Sequence, residues 1–122
     1  MTMHRFTATH WHNLLGTVPS ALTIASGDTV ITETIDAHGI DKDGVQRAPE
    51  PNPMNGPIFV TEAEPGDALK VEILRMTPIR ATGWTRASLA GNVVDPEFVR
   101  GLPSREKVNW RIDRQGIVIS TV

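Results

Sequence analysis

The sequence predicts an all-β protein, a β-sandwich of jelly-roll type with long loops and at most short helices. Apolar and charged residues alternate over residues 69–73, which is the period of a half-buried strand. Gly-Asp turns precede two such segments, at Gly27-Asp28 and at Gly66-Asp67. Helical signals are confined to residues 95–101, where an Asp-Pro start and a glycine end favour one short helix.

The predicted strands are short and are separated by turns. In chain order they are residues 5–9, 21–25, 29–35, 58–60, 69–79, 107–112 and 116–121. The turn at Ser26-Gly27-Asp28 predicts a hairpin between the second and third strands. Pro65 and Gly66 occupy the central positions of a type II turn before the fifth strand. Residues 81–94 show no clear period, so no strand is predicted there.

A long connection, residues 36–57, separates the third and fourth predicted strands. It contains Pro49, Pro51 and Pro53 and many polar residues. A loop of that length inside a compact domain is usually functional or disordered. We therefore expect candidate site residues within it.

Composition predicts one domain, residues 1–122, and excludes several classes of function. The chain has 122 residues, 39% of them hydrophobic, and a net charge of −2, which gives no reason to expect nucleic acid or an anionic membrane as partner. No apolar run is long enough to span a bilayer, and Met1 to Arg5 leads into no signal-peptide core, so a cytoplasmic location is expected. Cysteine is absent, which excludes disulfides, thiolate ligands and a cysteine nucleophile.

Two histidines lie two positions apart, at His10 and His12. On a strand they would share a face and could bind Zn²⁺, with a carboxylate as third ligand and water as fourth. A zinc ion so held can activate water for attack on an amide carbonyl. The alternative is a pair of surface histidines beside Trp11.

Four further polar residues are candidates for the same site. Asp36 ends a predicted strand, which suits a functional carboxylate or a turn former, and His38 follows it. The amides of Asn52 and Asn55 could orient a substrate amide or stabilise an oxyanion, or they could close loop turns.

The run Asn55-Gly56-Pro57-Ile58-Phe59-Val60, followed by Ala63-Glu64-Pro65-Gly66-Asp67, resembles the acetamidase/formamidase family. Val18-Pro19, the Ser26-Gly27-Asp28 turn and Asp36-Ala37 also fit the pattern of that family. The resemblance extends from about His10 to about Ile73, with weaker similarity over residues 95–112.

The resemblance implies a β-sandwich enzyme that hydrolyses a small aliphatic amide to ammonia and a carboxylate. It implies metal-assisted catalysis, with His10 and His12 holding a divalent metal such as zinc, His38 binding substrate, and Asp36, Asn52 and Asn55 in catalytic roles. Family members continue beyond the equivalent of Val122, so we expect this chain to form the N-terminal portion of such an enzyme. A homo-oligomer or a second chain would then complete the site, and residues 117–122 would pair with other polypeptide.

Two other functions remain open from the sequence. One is a non-catalytic β-sandwich that serves as a binding or assembly module. The other is a cupredoxin-like copper protein, against which the absence of cysteine argues, because blue-copper sites need a thiolate.

Overall fold

A computed structural model describes residues 1–86, 91–102, 106–113, 115 and 118–120 of the chain. It is 27% strand and 6% helical, which confirms the mainly β fold class, whereas the jelly-roll topology stays a prediction. The strands are β1 (Met3–Phe6), β2 (Leu22–Ile24), β3 (Thr29–Thr32), β4 (Ile58–Val60), β5 (Thr82–Arg86), β6 (Lys107–Ile112) and β7 (Val118–Ser120). Two short 3₁₀ turns cover Gly91–Val93 and Val99–Gly101. The chain divides into two compact units, Met1–Ile73 and Leu74–Val122.

Parallel pairs, and no hairpin, connect the strands of the first unit. β1 pairs with β3 from Met3 opposite Thr29, and β2 pairs with β4 from Leu22 opposite Ile58. The predicted hairpin between residues 21–25 and 29–35 is therefore wrong. A turn does occur there, with Gly27 at a φ of 84° and the Asp28 amide bonded to the Ala25 carbonyl at 3.1 Å. The turn carries the chain from one sheet into another, as at the corners of packed sheets.

Asp28 fixes this corner to the N-terminal strand. Its carboxylate accepts hydrogen bonds from the amides of Thr2 at 2.6 Å and Ala25 at 3.0 Å, and it contacts His4 Nε2 at 2.9 Å. The hydrogen bond with the His4 side chain, aided by those with the Ala25 and Thr2 amides, lowers the pKa of Asp28 from 3.8 to about 2. The Asp28 side chain is only 8% exposed.

We expect this lowered pKa to make the stability of the first unit acid-sensitive. A carboxylate whose pKa is lower in the folded state stabilises above its ordinary value near 4, and that stabilisation is lost as the pH falls towards 2. Asp28→Asn should lower Tm by several degrees at pH 7, and its difference from wild type should shrink between pH 4 and pH 2. Asp43→Asn, at a carboxylate that is 62% exposed, is the control and should stay close to wild type. A constant difference across this pH range would contradict the assignment.

The described part of the second unit contains one antiparallel sheet, of order β5-β6-β7. The predicted strand at residues 107–112 is confirmed with its bounds as β6, and its antiparallel pairing with β7 confirms the last hairpin. Residues 116, 117 and 121 of the predicted strand 116–121 lie outside the described residues. β5 was not predicted, because Thr82, Gly83 and Trp84 show no alternation and a glycine weakens a strand pattern. The helix expected over residues 95–101 is instead a turn that ends in the 3₁₀ segment Val99–Gly101.

The predicted strand at residues 69–79 is wrong, although the turn before it is confirmed. The Asp67 amide bonds to the Glu64 carbonyl at 3.0 Å, and Gly66 has a φ of 101°. Residues 68–78 have no regular secondary structure, and the side chains of Leu69, Val71 and Ile73 are 67%, 75% and 69% exposed. Alternation identifies a chain that can join a sheet, but the sheet partner lies elsewhere in sequence and has no local signal.

The interior of the first unit is formed by the long connection and not by the strands. Among the described hydrophobic side chains, Ala48 alone is buried, at 6% exposed. The other buried positions there are Gly39, Pro53 and Gly56, all within the same connection. Within the described part of the chain, no helix is long and apolar enough to cross a membrane.

Candidate functional site

A cleft of about 570 Å³ in the first unit contains both predicted metal ligands. It is lined by Arg5, Phe6, Thr7, Thr9, His10, His12, Pro19, Ala21 and Gly56. His10 and His12 are not on a strand, since His12 makes only an isolated bridge to Met54. They nevertheless reach the same cleft. Neither Arg5, which lies in β1, nor Thr9, which lies in the loop after β1, was identified from the sequence, because neither residue belongs to a recognisable motif.

Three consecutive residues beside the cleft are each bonded to the long connection. The Trp11 indole donates to Asn55 Oδ1 at 3.1 Å, and the backbone of His12 exchanges two hydrogen bonds with Met54, at 3.1 and 2.9 Å. Asn13 Nδ2 donates to the carbonyls of Pro49 at 2.8 Å and Pro51 at 2.7 Å. These contacts position His12 and hold the far end of the connection against it.

Asn55 uses both ends of its amide to join three parts of the unit. Besides accepting from Trp11, it donates through Nδ2 to Thr32 Oγ1 at 3.1 Å and to the Glu33 carbonyl at 2.6 Å. Gly56, which lines the cleft, follows Asn55 directly, so these hydrogen bonds hold the chain next to the cleft wall. Its catalytic role stays a prediction.

Asp36 and Asp41 begin two successive five-residue turns of the same design. Asp36 Oδ1 accepts hydrogen bonds from the backbone amides of residues 38 and 40, both at 2.9 Å. Asp41 Oδ1 accepts hydrogen bonds from the backbone amides of residues 43 and 45, also both at 2.9 Å. The fourth residue of each turn is a glycine, Gly39 at a φ of 79° and Gly44 at 78°. A carboxylate that accepts a hydrogen bond from the backbone amide two residues further on is characteristic of an Asx turn. The sequence Asp-Ala-His-Gly-Ile followed by Asp-Lys-Asp-Gly-Val carried this signal, but only as a turn.

Charged neighbours surround these turns. The Val45 amide and then the Arg47 guanidinium lower the pKa of Asp41, whose Oδ2 contacts Arg47 Nε at 2.6 Å. His38 Nε2 lies 3.5 Å from Glu50 Oε2, and the Glu50 side chain is 65% exposed. This pair is open to solvent, so we expect it to contribute little to stability.

Asn52 lies beside the first of these turns. Its amide donates to the Ala37 carbonyl at 2.8 Å, and its φ of 51° is one that asparagine tolerates better than most residues. Five of the six predicted site residues, all but Asn55, thus form two groups. Asp36, His38 and Asn52 share the turn region, whereas His10 and His12 line the cleft, and Asn13 joins the two by bonding to Pro51.

The donor set for a metal is incomplete within the described residues. No three histidine, aspartate or glutamate side chains of this part of the chain are grouped to hold an ion. His10 and His12 can supply two ligands, whereas a catalytic zinc site uses three from protein. Zinc therefore stays a prediction that requires a further ligand.

Comparison of the chain with family models, with curated proteins and with solved structures finds no match.

Proposed function

We propose that this chain forms part of a metal-assisted hydrolase acting on small aliphatic amides, similar to acetamidases and formamidases. The observation that carries the proposal is the placement of His10 and His12 in one cleft together with Arg5. The sequence resemblance around Asn55 to Val60 supplies the substrate class.

The side chains of the cleft suit the reaction in distinct ways. Thr9 Oγ1 contacts His10 Nδ1 at 3.0 Å. This contact orients the imidazole ring and leaves Nε2 to bind a metal. The Arg5 guanidinium is a permanent cation that can stabilise negative charge on the amide oxygen during attack. A divalent metal held by His10 and His12 would supply Lewis-acid activation of the attacking water.

The missing ligand supports a site completed by further polypeptide. Two histidines bind a divalent metal weakly, and the described residues offer no third donor beside them. A carboxylate or histidine from another chain or another copy would complete the set. We therefore expect the isolated chain to release ammonia very slowly.

Zinc titration of the isolated chain, followed by calorimetry, tests the cleft apart from catalysis. His10→Ala and His12→Ala should each abolish measurable Zn²⁺ binding, since one histidine remains. His4→Gln is the matched control, because His4 contacts Asp28 and does not line the cleft. Equal Zn²⁺ binding by His12→Ala and His4→Gln would remove the metal from the proposal.

Ammonia release from formamide and acetamide tests the reaction in the complete assembly. His12→Ala and Arg5→Ala should each lower turnover on the order of 100-fold, as removal of a well-placed catalytic group commonly does. His4→Gln should leave turnover near wild type. An assembly that releases no ammonia from either amide would contradict the enzyme function.

A non-catalytic binding or assembly module is the second candidate. It is favoured by the way Asp36 and Asn55 direct their side chains to loop backbone, where they hold structure. Asp36→Asn separates the two functions, because an asparagine Oδ1 can still accept the turn amides but supplies no carboxylate. Loss of ammonia release with unchanged stability assigns Asp36 to catalysis.

A further inference from the structure

Residues 67–75, here called the exposed segment, lie open to solvent although they have the pattern of a strand. Leu69, Val71, Ile73 and Leu74 are all more than half exposed. Within the described part of the chain, the only backbone hydrogen bond of this segment joins the Asp67 amide to the Glu64 carbonyl. Unpaired backbone groups beside apolar side chains favour pairing with another strand.

We propose that two copies of this chain associate through the exposed segment, paired antiparallel about Val71. The occupant of this edge is thus a second copy of the same protein. The proposal is independent of the proposed hydrolase, since it uses none of the residues that line the cleft.

The order of charges in the exposed segment is complementary to itself. With Val71 opposite the partner's Val71, Lys70 lies opposite the partner's Glu72, and Asp67 lies opposite the partner's Arg75. The remaining positions pair apolar with apolar, Leu69 with Ile73 and Ala68 with Leu74. Opposite charges directly across an antiparallel pair are favourable. The seven central positions, 68–74, are therefore matched at once, while at the two ends Asp67 Oδ2 also accepts a hydrogen bond from the Glu64 amide at 2.9 Å and Arg75 Nε donates to Thr77 Oγ1 at 3.1 Å.

Other arrangements of the same two segments place like charges together. A shift of two residues in one direction puts Glu72 opposite the partner's Glu72, and in the other direction Lys70 opposite the partner's Lys70. An in-register parallel pair would set every charged residue against itself. Like charges directly opposite are destabilising, so the sequence selects one register and one orientation.

The pairing also collects the exposed apolar side chains. Leu69, Val71 and Ile73 of both copies fall on one face of the resulting ribbon, with the Asp67–Arg75 pairs at its two ends. A two-stranded ribbon is only marginally stable in water. We therefore expect a weak, concentration-dependent dimer with twofold symmetry, in which each contact occurs twice.

Sedimentation equilibrium of the full chain over a range of concentrations tests this proposal by charge reversal. Lys70→Glu or Glu72→Lys places like charges at two symmetry-related pairs, so each should weaken dimerisation on the order of 10-fold. An equimolar mixture of the two variants should dimerise as well as wild type, because each Glu then faces a Lys of the other variant.

Several results decide the matter. Glu97→Lys, which makes the same charge change as Glu72→Lys at an exposed residue outside the segment, should dimerise as wild type does. Far-ultraviolet circular dichroism should be unchanged in all variants, since both reversed side chains are exposed. A wild-type chain that stays monomeric, reversals that dimerise normally, or a mixture that associates no better than its components would each overturn the proposal.

Discussion

Replacing Gly39 by alanine should lower the free energy of unfolding of the first unit by about 3 kcal/mol. Gly39 is buried with a φ of 79°, a conformation that costs other residues roughly 1–2 kcal/mol. A Cβ atom at Gly39 would also clash with the Ala48 carbonyl oxygen and would lie 2.8 Å from the Ala48 carbonyl carbon. That carbonyl belongs to backbone that must move before the side chain fits. The clash therefore adds to the conformational cost.

Gly44 offers a matched control one turn further along. It has a φ of 78° and the same place in its turn, but no atom lies within 4 Å of a Cβ built there. Gly44→Ala should cost only the conformational term, on the order of 1 kcal/mol. Urea unfolding followed by circular dichroism measures both midpoints and slopes. Equal costs at the two positions would show that Gly39 is not confined by Ala48.

Features of the fold that depend on nearby residues could be predicted from the sequence. The strand Ile58–Val60, the turn before Asp67 and the β6–β7 hairpin all follow from side-chain type and turn chemistry within a few residues. Strand partners could not be predicted in this way. β1 and β3 are about 26 residues apart in the chain, and their parallel pairing depends in part on Asp28 binding the Thr2 amide.

In the exposed segment, the sequence predicts a strand that the structure does not contain. Its alternation is as clear as any in the chain, but alternation reports only that a segment can join a sheet. β5, which does join one, contains Gly83 and has no alternation to reveal it. A partner, and not the local pattern, decides whether such residues form a strand.

The candidate site was predicted in residue type more than in arrangement. His10 and His12 reach one cleft, but through a loop tied to Met54 and not through a shared strand face. Asp36 and Asn55 were chosen because their side chains are chemically versatile. That same versatility lets them hydrogen-bond to backbone groups of the loop. The loop is rich in proline, and proline has no backbone N–H donor, so the loop has fewer backbone hydrogen bonds of its own.

Asn55→Ala should lower the free energy of unfolding of the first unit by about 2 kcal/mol. The change removes three hydrogen bonds, from Trp11 Nε1, to Thr32 Oγ1 and to the Glu33 carbonyl. A polar group left without its partner costs more than the hydrogen bond contributed, and the half-buried Trp11 indole would be such a group. Urea unfolding of the wild type and variant gives the difference directly.

The other asparagine of the same connection provides the control for Asn55. Asn52 contacts Ala37 through its backbone amide, so Asn52→Gly keeps that hydrogen bond and suits the φ of 51°. We expect its stability to stay within about 0.5 kcal/mol of wild type.

Trp11→Phe adds a second measurement, because it removes the donor that faces Asn55. If the Asn55–Trp11 hydrogen bond matters, the double variant should cost less than the sum of the two single variants. Strict additivity would place the effect of Asn55 in its bonds to Thr32 and Glu33, and an Asn55→Ala chain as stable as wild type would show that this amide does not hold the cleft wall.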